Sequence, residues 1–138
     1  MKRILGIDYG TKRTGLAATD PLQIIVSPLE TVPTGSIWEF LSNYLAAEAV
    51  ELVVLGEPLH ADGTPAQIHH LVVGFARKFA KTYPDIPVVW QDERFTSERA
   101  KQVILNSGTK KKKRQDKSLV DKVSAALILQ DYLEENKY

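Results

Sequence analysis

Cysteine is absent from this chain of 138 residues. Its absence excludes disulfide bonds and thiolate metal sites, and it is compatible with a reducing compartment. Long hydrophobic runs are also absent, because no stretch reaches the roughly 18 apolar residues of a membrane helix. The short basic N-terminus turns glycine-rich at Gly6, which does not predict a signal peptide. We therefore expect a cytoplasmic protein that does not contact a membrane.

An excess of charge of one sign is lacking as well, since 18 Lys and Arg residues balance 17 Asp and Glu residues and the net charge is +1. The cations are nevertheless concentrated in one run, Lys110, Lys111, Lys112, Lys113 and Arg114. Such a run is most often a solvated loop, but in a balanced chain it also predicts a local anionic partner. Because it lies directly before the last predicted helix, we favour contact with nucleic acid.

The apolar pattern predicts strands and helices in the order βββαβαβαα. The predicted strands are Ile4–Asp8, Thr14–Thr19, Ile24–Val32, Leu52–Leu55 and Ile86–Trp90, and the predicted helices begin at Ser36, Thr64, Thr96 and Ser118. The first three strands indicate an antiparallel meander, in which Pro28 marks an edge or bulged strand. The later strand–helix–strand units indicate parallel strands. We expect residues 1–138 to form one α/β domain with a mixed five-stranded sheet flanked by helices, the element order of a ribonuclease-H-like domain.

Carboxylates end two of the predicted strands. Asp8 ends the first strand, and Asp92 and Glu93 follow the fifth. In open α/β sheets, binding sites lie outside such strand ends, and a charge there is costly unless it is paired or bound to a cation. Taken alone, Asp8 is more simply interpreted as part of a turn with Thr11 or as an ion pair with Lys12. Since neighbours on a strand point in opposite directions, only one of Asp92 and Glu93 can share the surroundings of Asp8.

Asp121 is the third candidate acid. It shares a helical face with Ala125 and Ile128, where burial is expected, although it could instead complete a capping box with Ser118. Three carboxylates that converge on one spot would repel one another unless cations neutralised them. Mg²⁺ takes oxygen ligands, and two such ions about 3.5–4 Å apart can activate water and stabilise the leaving oxygen of a phosphodiester.

Four motifs spread over nearly the whole chain carry a family resemblance. GIDYGTKRTG, VVLGEPL, QDERFTS and DKVSAALIL, in this order, resemble the YqgF family, also called RuvX, of Holliday-junction-resolvase-like proteins regarded as pre-16S rRNA nucleases. The resemblance implies a ribonuclease-H-like fold, a cytoplasmic location and metal-dependent phosphodiester hydrolysis in maturation of the 5′ end of 16S rRNA. It also implies that Asp8, Glu93 and Asp121 are the catalytic and metal-binding residues, with Mg²⁺ or Mn²⁺, and so selects Glu93 over Asp92.

Two positions depart from the pattern of the family. Glu57 stands where an apolar residue is usual, and we interpret it as a rim residue. Ser124 stands where resolvase relatives carry a further acid, so this chain offers one ligand fewer. That difference favours, as an alternative function, a catalytically weak nucleic-acid-binding factor of ribosome assembly. Holliday-junction-resolvase-like cleavage of branched DNA is the other alternative.

Lys12 and Arg13 follow the first strand, and we interpret them as exposed groups that position phosphates. The expected partner is therefore nucleic acid, either pre-rRNA or branched DNA, bound by a monomer or weak homodimer. Trp38, Trp90 and the phenylalanines are interpreted as core residues rather than stacking platforms for bases.

Overall fold

A mixed five-stranded sheet organises the structure, a computed structural model that describes residues 1–107 and 116–136. The strands are β1 (Arg3–Tyr9), β2 (Arg13–Thr19), β3 (Val26–Pro33), β4 (Val50–Glu57) and β5 (Val88–Asp92). The helices are α1 (Ile37–Ala47), α2 (His69–Thr82), α3 (Thr96–Asn106) and α4 (Lys117–Glu135), and none of these described helices is long and apolar enough to cross a membrane. The sheet order is β3-β2-β1-β4-β5, antiparallel from β3 to β1 and parallel from β1 to β5. The predicted meander followed by two parallel strands is confirmed.

The strand β3 lies at one edge of the sheet, and its pairing register with β2 shifts beside Pro28. Because proline has no N–H to donate to the ladder, an irregularity at an edge is where the sheet tolerates it. The prediction of an edge or bulged strand is therefore confirmed. The strand begins at Val26 rather than at Ile24, because the N–H groups of Ile24 and Ile25 donate to the Asp20 carboxylate in the preceding turn.

Two apolar clusters cover the two faces of the sheet. The larger cluster joins Leu5 and Ile7 of β1 to Ile37 and Leu41 of α1 and to Val72, Phe75 and Phe79 of α2. The smaller cluster joins Ile4, Ala17 and Val54 to Ala125, Ile128 and Leu129 of α4. Successive side chains on a strand point to opposite faces, so Asp8 belongs with Ile4 to the face that α4 covers.

The start of α2 differs from the prediction. The helix begins at His69 rather than at Thr64. Pro65 pairs with Leu59 in an isolated β-bridge, and the Asp62 carboxylate accepts hydrogen bonds from both the N–H and the hydroxyl of Thr64. These local bonds hold Thr64 in a loop, where a hydroxyl residue is as well satisfied as at a helix cap.

Neither Ser36 nor Ser118, the predicted first residues of two helices, forms a capping box. Ser36 closes a short 3-10 turn before α1, and its side chain makes no cap hydrogen bond. At the start of α4 the cap is Asp116, whose carboxylate accepts the N–H of Ser118 at 2.9 Å. The alternative interpretation of Asp121 as a capping residue is therefore wrong.

Candidate active site

Asp8 lies at the C-terminal end of β1, on the face that α4 covers. Its partner on β2 is Gly15. A Cβ atom on Gly15 would overlap the carbonyl oxygen of Asp121, so the missing side chain lets α4 rest directly on the strand. The close approach of helix and sheet at Gly15 places Asp121 beside Asp8.

Glu93 follows β5 and reaches the same place over a second glycine. A Cβ atom on Gly56 of β4 would lie 3.0 Å from the carboxyl carbon of Glu93 and 2.8 Å from Cδ1 of Ile128. The absence of a side chain at Gly56 therefore leaves room for the Glu93 carboxyl group between the sheet and α4. There the side chains of Asp8 and Glu93 are hydrogen-bonded to each other, and we call these two residues the acid pair.

The acid pair shares a proton. Burial raises the pKa of Asp8, the hydrogen bond from Glu93 works against this rise, and the negative charge of Asp121 adds to it. Burial, followed by the charge of Asp8 and the hydrogen bond to it, raises the pKa of Glu93 to about 10. The acid pair therefore retains a proton near neutral pH. Two carboxyl groups this close can both ionise only beside a compensating cation.

Asp121 is near enough for its charge to raise the pKa of Asp8, but its carboxylate has a partner of its own. Nε of Arg13 donates to Oδ2 of Asp121 at 2.7 Å. The two side chains are 39% and 23% exposed, respectively, so the ion pair lies at the mouth of the site rather than inside it. The structure thus brings the third predicted acid next to the acid pair, bonded to a cation of the same chain.

Two further carboxylates at this edge of the sheet lie on the opposite face. Asp92 pairs with Arg94 at 2.7 Å, and Oε2 of Glu57 lies 3.0 Å from Nε2 of His69 on α2. The structure therefore separates Glu93 from Asp92, which the sequence pattern alone did not do. Glu57 lies away from the acid pair, beside His69 on the opposite face of the sheet.

The atoms that line the site suit a hard divalent cation such as Mg²⁺ or Mn²⁺, which prefers oxygen ligands. The carboxylates of Asp8, Glu93 and Asp121 supply oxygen. Two buried hydroxyl groups, on Thr96 and Ser124, have no hydrogen-bond partner within the described residues. In the sequence, Thr96 closely follows Glu93 and Ser124 closely follows Asp121. No group of three acidic, histidine or cysteine side chains in residues 1–107 and 116–136 is arranged as a metal-ligand set, and Asp121 is bonded to Arg13.

The predicted nucleic-acid contacts fall into two groups. Lys12 is exposed in the turn between β1 and β2, and Arg13 begins β2 beside the acids. The run from Lys110 to Arg114 lies outside the described residues, so its contact with nucleic acid stays a prediction.

Two aromatic residues interpreted as core residues are exposed instead. Trp90 is 39% exposed and stacks on His69, with ring centroids 5.9 Å apart. Phe95 is 59% exposed and has a left-handed backbone conformation, with φ of 63°. It follows Glu93 by two residues, so an exposed ring that can stack on an unpaired base stands near the acid pair. The available signal was the position of Phe95 in the turn before α3, outside the apolar stripe of that helix.

Comparison with known proteins gives a consistent assignment. Residues 2–135 match the family model described as RuvX: Holliday junction resolvase. A protein of Flavobacterium johnsoniae named "Putative pre-16S rRNA nuclease" is 49% identical over 138 residues, which is 100% of each chain. A protein of Porphyromonas gingivalis with the same name is 51% identical over 134 residues, which is 97% of each chain.

Two solved structures share the fold. Fowlpox virus resolvase, determined in complex with substrate Holliday junction DNA, has a TM-score of 0.60 and 14% identity, covering 96% of this chain and 97% of that one. RuvC of T. thermophilus, in complex with a Holliday junction substrate, has a TM-score of 0.54 and 20% identity, covering 99% of this chain and 97% of that one. At these identities the likeness establishes a resolvase-type, ribonuclease-H-like fold.

Proposed function

The chain belongs to the RuvX family, and on that premise we propose that it is a nuclease that cleaves phosphodiester bonds at the 5′ end of the 16S rRNA precursor. Relatives that are about half identical over their whole length carry the name of a pre-16S rRNA nuclease. Such a role belongs to ribosome biogenesis. We further propose that the protein acts in the cytoplasm, as a monomer or weak homodimer.

The observation that carries the proposal is the convergence of Asp8, Glu93 and Asp121 at the C-terminal edge of the sheet. Strand ends of this kind are where open α/β sheets bind their ligands. The three residues come from β1, the turn after β5 and α4, and two glycines that admit no side chain allow them to meet. A fold has no structural need to gather three carboxylates, because their mutual repulsion destabilises it.

Asp8, Glu93 and Asp121 would hold Mg²⁺ or Mn²⁺. When bound, such a cation lowers the pKa of an attacking water and stabilises the leaving oxygen of a phosphodiester. The chain contributes the geometry: Gly15 and Gly56 fix the distances between the acids, and burial keeps bulk water from separating them. Lys12 and Arg13, at the mouth of the site, are the cations that would position the phosphate backbone.

Cleavage of branched DNA is the second candidate, because the family model describes a Holliday junction resolvase. A catalytically weak factor of ribosome assembly is the third. Ser124, whose buried hydroxyl has no partner within the described part of the chain, supports it, since a neutral group there binds a cation less strongly than an acid would.

A single assay distinguishes these functions. The purified protein and its Asp8→Asn variant are incubated with an RNA that carries the 5′ leader of 16S rRNA and with a four-way DNA junction. Each mixture is tested in Mg²⁺, in Mn²⁺ and in EDTA. We expect RNA cleavage that needs a cation and disappears in the variant. Cleavage of the junction alone would support the resolvase, and binding without cleavage of either substrate would support the assembly factor.

A further inference from the structure

The ion pair between Arg13 and Asp121 joins two residues of the site to which we have assigned different roles. Arg13 is a predicted phosphate contact, and Asp121 is a predicted cation ligand. In the structure Nε of Arg13 donates to Oδ2 of Asp121 at 2.7 Å, so each residue satisfies the other. Neither can perform its assigned role fully while this bond persists, because a guanidinium bound to a carboxylate has fewer N–H groups and less charge to offer a phosphate.

The backbones on both sides of the pair are fixed. The carbonyl group of Asp121 rests on Gly15, two residues after Arg13 on β2, with no space for even one additional carbon atom. Arg13 itself pairs with Pro33 of β3, and the carbonyl of the neighbouring Lys12 accepts the N–H of Thr34 at 3.0 Å. A change of partner is therefore a rotation of two side chains and needs no movement of α4 or of the sheet.

The pair is also open to exchange. The Arg13 side chain is 39% exposed, so an anion from solvent can reach its guanidinium group. Exposed ion pairs contribute little to stability, whereas guanidinium groups match phosphate oxygens in both charge and planar geometry. A phosphodiester held at the acid pair would therefore compete effectively for Arg13.

We propose that Arg13 exchanges partners when substrate binds: it leaves the Asp121 carboxylate for a phosphate of the nucleic acid and so frees Asp121 to bind a cation. This inference rests on the proposed function and deepens it by making Arg13 a positioning residue for Asp121. Thermodynamic linkage requires that the effect be reciprocal, so nucleic acid and divalent cation each favour binding of the other.

The first test needs no metal. Binding of the 16S leader RNA is measured in EDTA at several salt concentrations for the wild type, Asp121→Asn, Arg13→Gln and the double variant. We expect Asp121→Asn to bind more tightly, with a log–log salt slope steeper by about 0.7–0.9, the value of one added phosphate contact. In the Arg13→Gln background the same substitution should leave the slope unchanged. An equal effect in both backgrounds would overturn the exchange, because it would reflect net charge alone.

The second test measures Mg²⁺ binding by calorimetry without nucleic acid. Arg13→Gln should bind Mg²⁺ roughly 1.4- to 5-fold more tightly than the wild type, the range expected from removal of an exposed ion pair. Lys12→Gln is the matched control, since it removes the same charge from the adjacent, exposed residue and should change affinity less. Equal shifts in the two variants would overturn the exchange. A wild type that binds no Mg²⁺, with or without RNA, would instead refute the metal site of the proposed function, and the binding cycle in EDTA would still decide the exchange.

Discussion

The shared proton of the acid pair makes the stability of the cation-free protein depend on pH. Burial and the charge of Asp8 raise the pKa of Glu93 from its usual 4.5 to about 10, so the folded state holds a proton that the unfolded state releases. The resulting stability is fully present below pH 4.5 and is lost as the pH rises toward 10. In EDTA we therefore expect the melting temperature to fall between pH 5 and pH 9.

Replacement of Glu93 by Gln should remove most of this dependence. The amide keeps a donor for the Asp8 carboxylate and has no proton to lose, so the variant should be more stable than the wild type at pH 8 in EDTA. Thermal unfolding across pH 5–9 measures the effect, and Glu134→Gln, at the exposed end of α4, is the control. A Glu93→Gln curve parallel to that of the wild type would contradict a shared proton.

Single residues show how far the sequence could go. Alternation along the strand established that only one of Asp92 and Glu93 could join Asp8, and the family resemblance then selected the residue that the structure places there. The bond between Arg13 and Asp121 could not be predicted, because 108 positions separate its partners and no local pattern connects them. The interpretation of Phe95 as a core residue was wrong, because its hydrophobicity does not reveal that it lies in a turn with a left-handed backbone conformation.

The contact between β2 and α4 depends on one glycine. In Gly15→Ala the new Cβ would overlap the backbone of Asp121, and neither backbone segment can yield easily. We expect the free energy of unfolding to fall by about 1–3 kcal/mol, as in other overpacked sites, and cleavage to be lost because Asp121 moves. Denaturant unfolding and the cleavage assay measure the two effects. Gly35→Ala is the control, since nothing lies within 4 Å of its Cβ; equal behaviour of the two variants would refute the close approach.

One substitution in α2 should stabilise the protein. Gly74 is exposed in the interior of this helix, and a Cβ atom added there would meet nothing within 4 Å. Alanine favours a helix interior over glycine, so Gly74→Ala should raise the free energy of unfolding by roughly 0.5–1 kcal/mol and leave cleavage unchanged. Denaturant unfolding measures the change in stability. A destabilised variant would contradict the open space around Gly74.

Two aspartates near the start of α4 have different assigned roles: Asp116 caps the helix, and Asp121 belongs to the site. Asp116→Ala should lower the melting temperature, because it removes the cap bond to Ser118, and it should leave the cleavage chemistry intact. Asp121→Asn should do the reverse, with little change in the melting temperature and loss of cleavage. Thermal unfolding and single-turnover cleavage of both variants test this assignment. Loss of cleavage in Asp116→Ala, measured where the variant is fully folded, would contradict it.

Elements were easier to predict than their ends. The apolar pattern identified all five strands and the four helices of the described segments, because the apolar residues of each element recur with the period of a strand or a helix. The start of α2 was missed, since Thr64 and Pro65 satisfy a loop as well as a helix cap. Cap residues are ambiguous in sequence because the same side chain bonds stabilise both structures.

At the scale of the whole molecule, chain order determined the sheet. Short links between the first three strands require antiparallel pairing, and helical crossovers require parallel pairing, so the topology followed from the connections. The meeting of β1, the turn after β5, and α4 was a consequence of this topology. The distances within the site did not follow from the topology, because they depend on Gly15 and Gly56. The role of these glycines is visible only once the position of α4 is known.

The central claim is that Asp8, Glu93 and Asp121 act together as the catalytic site of a nuclease. Its most direct test is the single-turnover rate of leader-RNA cleavage, in Mg²⁺ and in Mn²⁺, for Asp8→Asn, Glu93→Gln, Asp121→Asn and the control Asp92→Asn. Loss of even an outer partner of a metal ligand costs roughly 10–100-fold, so we predict a loss of at least about 100-fold in each of the first three variants. Asp92→Asn, whose side chain pairs with Arg94 on the opposite face, should retain the rate of the wild type. Wild-type rates in the three site variants, or a loss confined to Asp92→Asn, would contradict the account.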